Sequence, residues 1–352
     1  MPKITQKKGS EYVGRKTVYN NITSPEKLQQ VNKKNIDLKN DFLDYLISLD
    51  RAKRTISSYE SDLDIFFCWN LDFNDNKYFI DLTKREIAKF QKFAMTDWGW
   101  STNRLARVKS VLSSMSNYVE NILDDELPDF RGIIRKVESP VKQVVREKTI
   151  ITDEEVQMIL NTLVEKKKYQ CACAFALAAF GGARKSELLR YKVSYFDDEN
   201  IMNDAALYRT PEKVITKGRG SAGKPLTKYT LLDFKKYFDL WMNERNEHGI
   251  ENEYLFVNLG TNEVSKVSTL DSYSETISSI LGRPFYFHAL RHQLCSRLFR
   301  LGLPADVIQE YFGWSSADML NIYNDNEASD SFGKFFTVDG IKGSETKGLS
   351  DL

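Results

Sequence analysis

Three separated stretches of the chain carry side chains whose types and spacing suit work on a phosphate group. The first is GGARKSEL, where Arg184 follows the pair Gly181–Gly182 and stands three residues before Glu187. A guanidinium where a helix opens is well placed for an oxyanion, because the unpaired N–H groups of the first turn point the same way. Read alone, it is more simply an arginine paired with the glutamate one turn on, an ion pair of small energetic weight. The second is KVITKGRGSAGKPLT, with Lys217 at the start of a glycine-rich turn that leaves its side chain room to project. Alone it is an ordinary surface lysine. The third is HALRHQLCSRLFRLGLPADVIQEYFGWSSADMLNIY. His288 and Arg291 are three apart and share a face of a helix. Gly302 and Pro304 close that helix and open the next. Gly313 ends the second helix, Trp314 follows, and Ser315 or Ser316 can cap a last short helix carrying Tyr323. His288, His292 and Cys295 fall near one helix face, but no carboxylate lies between the histidines and no fourth ligand is evident, so zinc is not expected.

These groups need a scaffold, and the rest of the chain supplies one. At 352 residues, with 41% apolar and 28% charged residues, two globular domains are expected. No apolar run is long enough to span a membrane. The basic N-terminus lacks the apolar stretch of a secretory signal, which points to a cytoplasmic protein. The four cysteines, Cys68, Cys171, Cys173 and Cys295, are sparse and irregular and read as reduced, structural thiols. A net charge of +1 argues neither for nor against nucleic acid, so any such reading rests on where the charges lie.

Residues 1–35 are polar and carry Lys3, Lys7, Lys8, Arg15 and Lys16 against Glu11, as a flexible basic arm would. Over 36–130 the apolar residues recur at helical spacing. Leu38, Phe42, Leu43, Tyr45, Leu46 and Leu49 form one stripe, and Ile56, Tyr59, Leu63, Phe66 and Phe67 a second. Thr83 and Glu86 make a capping box for a third helix. A fourth begins at Ser101 and lines up Leu105, Val108, Val111, Leu112, Met115 and Val119, with Arg104, Arg107 and Lys109 on or beside its other face. Residues 131–148 hold six Lys or Arg against two Glu, with Pro140 and no clean periodicity, the pattern of a basic linker. The second domain opens on a Thr152/Glu155 capping box, continues through the apolar segment CACAFALAAF, and passes through a strand-rich stretch (ALYRT, KVITK, KPLTKYT) before helices return. The expected fold is mainly α with a small antiparallel β-sheet.

In order and spacing, GARKSEL, TKGRG, HALRH, FGW and Tyr323 resemble the tyrosine recombinase (phage integrase) family. In that family a G-x-R-x-x-E-L segment comes first, a lysine in a β-turn second and H-x-L-R-H third. A G-H or G-W pair then precedes the tyrosine by nine residues, the spacing between Trp314 and Tyr323. The likeness extends to RTISSYESDLDIFFCW and STNRLARVKSVLSSM, which are similar to the family's helical core-binding domain. One position departs from the commonest pattern: Trp314 stands where most members have histidine. An indole N–H can donate a hydrogen bond but cannot shuttle a proton.

The resemblance implies a site-specific DNA recombinase of integrase or excisionase type that acts through a 3′-phosphotyrosyl intermediate with no metal and no cofactor. It implies that Tyr323 is the nucleophile and that Arg184 and Arg291 clamp the scissile phosphate. His288 then assists removal of the tyrosine proton, Lys217 protonates the leaving 5′-oxygen, with Lys224 the runner-up for that role, and Trp314 hydrogen-bonds to and packs against the phosphate. Glu187 and His292 support these groups from behind. The organisation implied is an arm (1–35), a helical core DNA-binding domain (36–130), a basic linker (131–148), a mixed α+β catalytic domain (149–338) and a tail (339–352). Arg104, Arg107, Lys109, Arg135, Lys136, Lys142 and Arg219 are the expected DNA contacts. The implied partner is double-stranded DNA with inverted-repeat core sites, bound by a homotetramer on two sites, with a monomer or weak oligomer off DNA. DNA-bending or directionality factors are conceivable accessories. Two alternatives share features of the sequence: a type IB topoisomerase-like or telomere-resolving enzyme with the same chemistry, and a DNA-binding protein without catalysis.

Overall fold

The computed structural model describes residues 22–141, 150–202, 206–218, 220 and 222–314, together with the backbone of two short strands at 336–337 and 340–341. The chain groups into two compact units. No described helix is long and apolar enough to cross a membrane.

The first unit is helical: α1 (Pro25–Gln30), α2 (Lys33–Ser48), α3 (Lys53–Phe73), α4 (Lys84–Thr96) and α5 (Thr102–Ile122). The stripes read from the sequence face inward, with Ile56 and Tyr59 partly buried, except Leu49 at the end of α2, which is 45% exposed. Leu38, Phe42 and Leu46 of α2, Leu63, Phe66 and Phe67 of α3, and Leu105, Val108, Leu112, Met115 and Val119 of α5 lie in one core. Each such side chain stabilises the fold by about 1.5–3 kcal/mol on leaving water. Phe90 meets Phe66 and Trp69 edge to face at its centre, both at 5.0 Å. The helix starts are capped where expected, α4 by the reciprocal Thr83–Glu86 pair and α5 by Ser101, whose hydroxyl accepts from the Arg104 N–H.

Two parts of this unit differ from the expectation. Within the stretch assigned to a flexible arm, Ser24 caps α1 and Val31 is buried in the core, so apolar contact orders the chain from there on. The basic linker, too, begins as a docked segment. Ile134, on a short 3-10 turn (Ile134–Lys136), is buried in the same core, and the backbone beyond it is held by a lysine of α5.

The second unit starts at α6 (Asp153–Glu165), capped by Thr152 and Glu155, and runs through α7 (Tyr169–Gly181) into the one-turn helix α8 (Lys185–Leu188). From Cys171 to Gly181 every residue of α7 is buried, which explains a composition that is apolar all round rather than on one stripe. α7 is the hub, packed against α6, α9 (Lys235–Glu247) and α11 (His288–Arg300). Burial pushes the Cys171 thiol up to about 12, as befits a small core hydrophobe.

Four three-residue strands follow α8: β1 (Leu207–Arg209), β2 (Val214–Thr216), β3 (Lys224–Leu226) and β4 (Tyr229–Leu231). The expected hairpin is present, with β2 antiparallel to β3 and Val214 opposite Leu226. The segment KPLTKYT, expected as one strand, divides at Thr227–Lys228. Its second half becomes β4 and pairs with β1, so the inner ribbon is nested in an outer one. After α9 come α10 (Val267–Leu281), α11 and α12 (Ala305–Phe312), and then the antiparallel pair β5 (Phe336–Thr337) and β6 (Gly340–Ile341). The architecture is mainly helical with small antiparallel sheets, the class expected.

Candidate active site

The site is built around the end of α7. Gly182 caps that helix in the left-handed conformation (φ +60°), and its N–H donates to Ala178 O. A Cβ at this position would stand 2.4 Å from the Phe312 ring. The Gly182 carbonyl accepts a 2.7 Å hydrogen bond from Arg291 Nη1. One residue thus ends the hub helix, lets an aromatic ring close over it and holds an arginine. Replacing Gly182 by valine adds left-handed strain to a steric clash, and we expect it to lower stability by roughly 2–4 kcal/mol. Equilibrium denaturation checks this; a loss below about 0.5 kcal/mol would show that the ring moves aside freely.

Arg291 is 1% exposed, although it projects from the first turn of α11. Its Nη2 donates to Phe312 O at 2.9 Å, and its guanidinium lies 4.7 Å from the Phe312 ring and 5.2 Å from the Trp314 ring. Those rings stack on each other at 4.8 Å with 19° between planes. A planar, weakly hydrated guanidinium tolerates burial between carbonyls and aromatic faces; an ammonium would not. Trp314 is 7% exposed, and its backbone N–H donates to Gln309 O at 3.0 Å. Its observed contacts make it a support for Arg291.

Arg184 caps α8 from the next loop. Its Nη1 donates to Glu187 Oε1 at 2.8 Å, and its backbone N–H donates to Oε2 at 3.2 Å. Both sequence readings of this arginine leave out a third partner. Lys228 Nζ donates to Glu187 Oε2 at 2.9 Å, and both side chains are buried. Burial pushes the Glu187 carboxyl up, but Lys228 and Arg184 outweigh it and hold it below the usual carboxylate range. Burial likewise pushes Lys228 down, against the pull of Glu187 and with the repulsion of Arg291 and Arg184. A signal for Lys228 exists in the sequence. In KPLTKYT it shares alternation phase with Thr230, both face inward, and a lysine on the buried face of a strand demands a carboxylate.

His288 opens α11 and is exposed to solvent, with the His292 ring edge-on at 5.2 Å. Partial burial, then the His292 ring and the guanidiniums of Arg291 and Arg184, push its pKa down to about 4, with Glu187 opposing. Above that pH the imidazole is neutral and able to accept a proton. The unfolded chain protonates it near the ordinary value of about 6.5. Its share of folding stability is therefore complete above that value and is lost as pH falls towards 4. The chain has three histidines, so an NMR titration with one signal assigned by His288→Gln is practicable. We expect a midpoint near 4; a midpoint above about 6 would contradict the electrostatic picture.

Arg184, Glu187, His288, Arg291 and Trp314 therefore gather in one region of the second unit, with His292 beside His288. Lys217 stands exposed at the end of β2, without a hydrogen bond or ion pair among the described residues. Tyr323, Lys142 and Arg219 lie outside those residues.

In the first unit, Arg104 and Arg107 are held by the buried carboxylate of Asp62, at 2.7 and 3.0 Å, and Arg104 lies over the Trp100 ring. Arg107 and Lys136 are exposed, as is Arg135, whose Nε donates to Ser113 Oγ at 2.8 Å. Lys109 corrects the expectation. It is 5% exposed, and its ammonium donates to Gln91 Oε1 (2.9 Å), Val137 O (2.7 Å) and Glu138 O (3.4 Å). Three donors meet three oxygens, so this lysine ties the segment after Ile134 to α5 and has none left for a phosphate.

Residues 149–330 match the model of the phage integrase family. The chain is 28% identical over 290 residues to the SPbeta prophage-derived recombinase-like protein YomM of Bacillus subtilis, covering 80% of this chain and 84% of that one. It is 23% identical over 297 residues to a tyrosine recombinase of Thermosipho africanus, covering 80% and 92%. Among solved structures, a lambda integrase dimer bound to a COC′ core site superimposes with a TM-score of 0.61 at 16% identity, covering 83% of this chain and 95% of that one. The Tn1549 transposon integrase in complex with circular intermediate DNA gives 0.60 at 15% identity, covering 84% and 97%.

Proposed function

The chain belongs to the phage integrase family and is a tyrosine recombinase, and from that premise we propose how its residues divide the work of cutting and rejoining duplex DNA. The observation that carries the reading is the convergence of Arg184 and Arg291, from separate segments of the second unit's sequence, beside His288. Arg184 and Arg291 bind the non-bridging oxygens of the scissile phosphate. The oxygen of Tyr323 attacks phosphorus as His288 accepts its proton. The bond to the 5′-oxygen breaks, and Lys217 donates a proton to that oxygen. The phosphodiester energy is kept in a 3′-phosphotyrosine, which a second 5′-hydroxyl attacks to restore the DNA. In-line displacement builds negative charge on the equatorial oxygens, and two guanidiniums answer it electrostatically.

Arg104, Arg107, Arg135 and Lys136 of the first unit are assigned to contacts with the DNA backbone, as are Lys142 and Arg219, whereas Lys109 is withdrawn from that set. A homotetramer on two inverted-repeat sites, in the cytoplasm, completes the reading, with room for accessory bending factors.

The test is covalent capture. A randomised library of nicked duplexes, in which the short strand beyond the cut diffuses away, is incubated with the full chain in EDTA. A detergent-resistant adduct at a 3′ phosphate, recovered on one inverted-repeat sequence, is the expected result. Failure to form an adduct on this library and on DNA flanking the gene would overturn the reading.

A further inference from the structure

Lys228 lies outside the groups assigned to the reaction, yet it is among the most constrained side chains in the second unit. It is 2% exposed and precedes β4, where its backbone N–H donates to Thr210 Oγ1 at 3.0 Å and its carbonyl accepts from the Thr210 N–H at 3.0 Å. The backbone is pinned on both sides, so the ammonium is delivered to one place: the second oxygen of Glu187. Glu187 is 0% exposed and uses its other oxygen on Arg184, whose side chain is 28% exposed. The order from interior to surface is therefore lysine, carboxylate, guanidinium, with only the last open to a ligand.

We propose that Lys228 is a positioning residue for strand cleavage: its buried ammonium fixes the Glu187 carboxylate, which in turn fixes the Arg184 guanidinium against the scissile phosphate. This inference rests on the recombinase reading given above. Two physical arguments carry it. A buried carboxylate with a single half-exposed partner can protonate or rotate towards water, and either change releases the arginine. A second buried cation removes both options. The charge count points the same way. Arg184, Arg291 and Lys228 set three positive charges against the one of Glu187, an excess of two. A phenolate attacking a phosphodiester produces a transition state with two negative charges, and removing Lys228 leaves an excess of one.

A lysine beside the phosphate could instead be the proton donor to the leaving oxygen, and the experiment separates the two roles. The substrate is a nicked duplex captured by the wild-type chain, made with either oxygen or sulfur at the bridging 5′ position. A sulfur leaving group needs no proton, so a variant that lacks the acid regains its rate on it. Lys228→Met is expected to bind the duplex within about threefold of wild type while forming adduct about 100-fold more slowly on both substrates. Lys217→Ala should recover with sulfur, and Lys228→Arg should restore most of the rate with oxygen. Should a lone Glu187 prevent folding, Glu187→Gln/Lys228→Met removes both charges together; it should fold and still form adduct about 100-fold more slowly. Adduct formation by Lys228→Met, or by the double variant where the single one does not fold, within about threefold of wild type would overturn the proposal, as would recovery on sulfur. If the wild-type chain forms no adduct on any duplex, the recombinase mechanism falls and this inference with it.

Discussion

Arg291→Ala is expected to cut the rate of covalent adduct formation by on the order of 10³-fold or more, and to lower folding stability by roughly 3–5 kcal/mol. The two losses share a cause. The guanidinium hydrogen-bonds the carbonyls of Gly182 and Phe312, and it underlies the stacked rings of Phe312 and Trp314. Alanine leaves two buried carbonyls short of a donor and opens a gap beside the rings. Lysine is no remedy, since a single ammonium cannot span both carbonyls and lie flat on an aromatic face. We expect Arg291→Lys to remain near the alanine variant in cleavage. Single-turnover capture on a nicked duplex and urea denaturation measure the two effects separately. Wild-type stability in Arg291→Ala would mean that these contacts are unimportant to the fold.

Tyr323→Phe is expected to abolish the adduct altogether, a loss on the order of 10⁴-fold or more, with duplex binding and melting unchanged. Phenylalanine keeps the ring and removes only the oxygen that would bond to phosphorus. Mapping the adducted peptide of the wild-type chain gives an independent check. The DNA remnant should sit on the peptide containing NIYND, and its recovery on any other tyrosine would move the nucleophile.

What could be read from the sequence was local. The Thr83–Glu86 and Thr152–Glu155 boxes span three residues, and each formed as its spacing required. The Gly181–Gly182 pair ended α7, and the apolar CACAFALAAF became the hub helix because no face of it could meet water. What could not be read depended on contacts between distant segments. Glu187 and Lys228 are 41 residues apart, and nothing near either names the other. Lys109 looked like surface because its helix presents it beside the apolar stripe; only the return of residues 134–138 across α5 buries it. Arg104 and Arg107 were legible as cations, but not as the two arms gripping Asp62 on another helix.

The way Arg291 is held has a consequence of its own. Its carbonyl partners are the terminal peptides of α7 and α12, where the partial negative ends of two helices meet. Such dipoles replace the hydration shell of a cation but carry no net charge, so the monopole stays intact for an incoming anion. Arg184 is instead tethered to a carboxylate whose charge Lys228 offsets from the other side. The two arginines are thus held by unlike means: one by neutral dipoles, the other by a charged partner that a buried lysine balances.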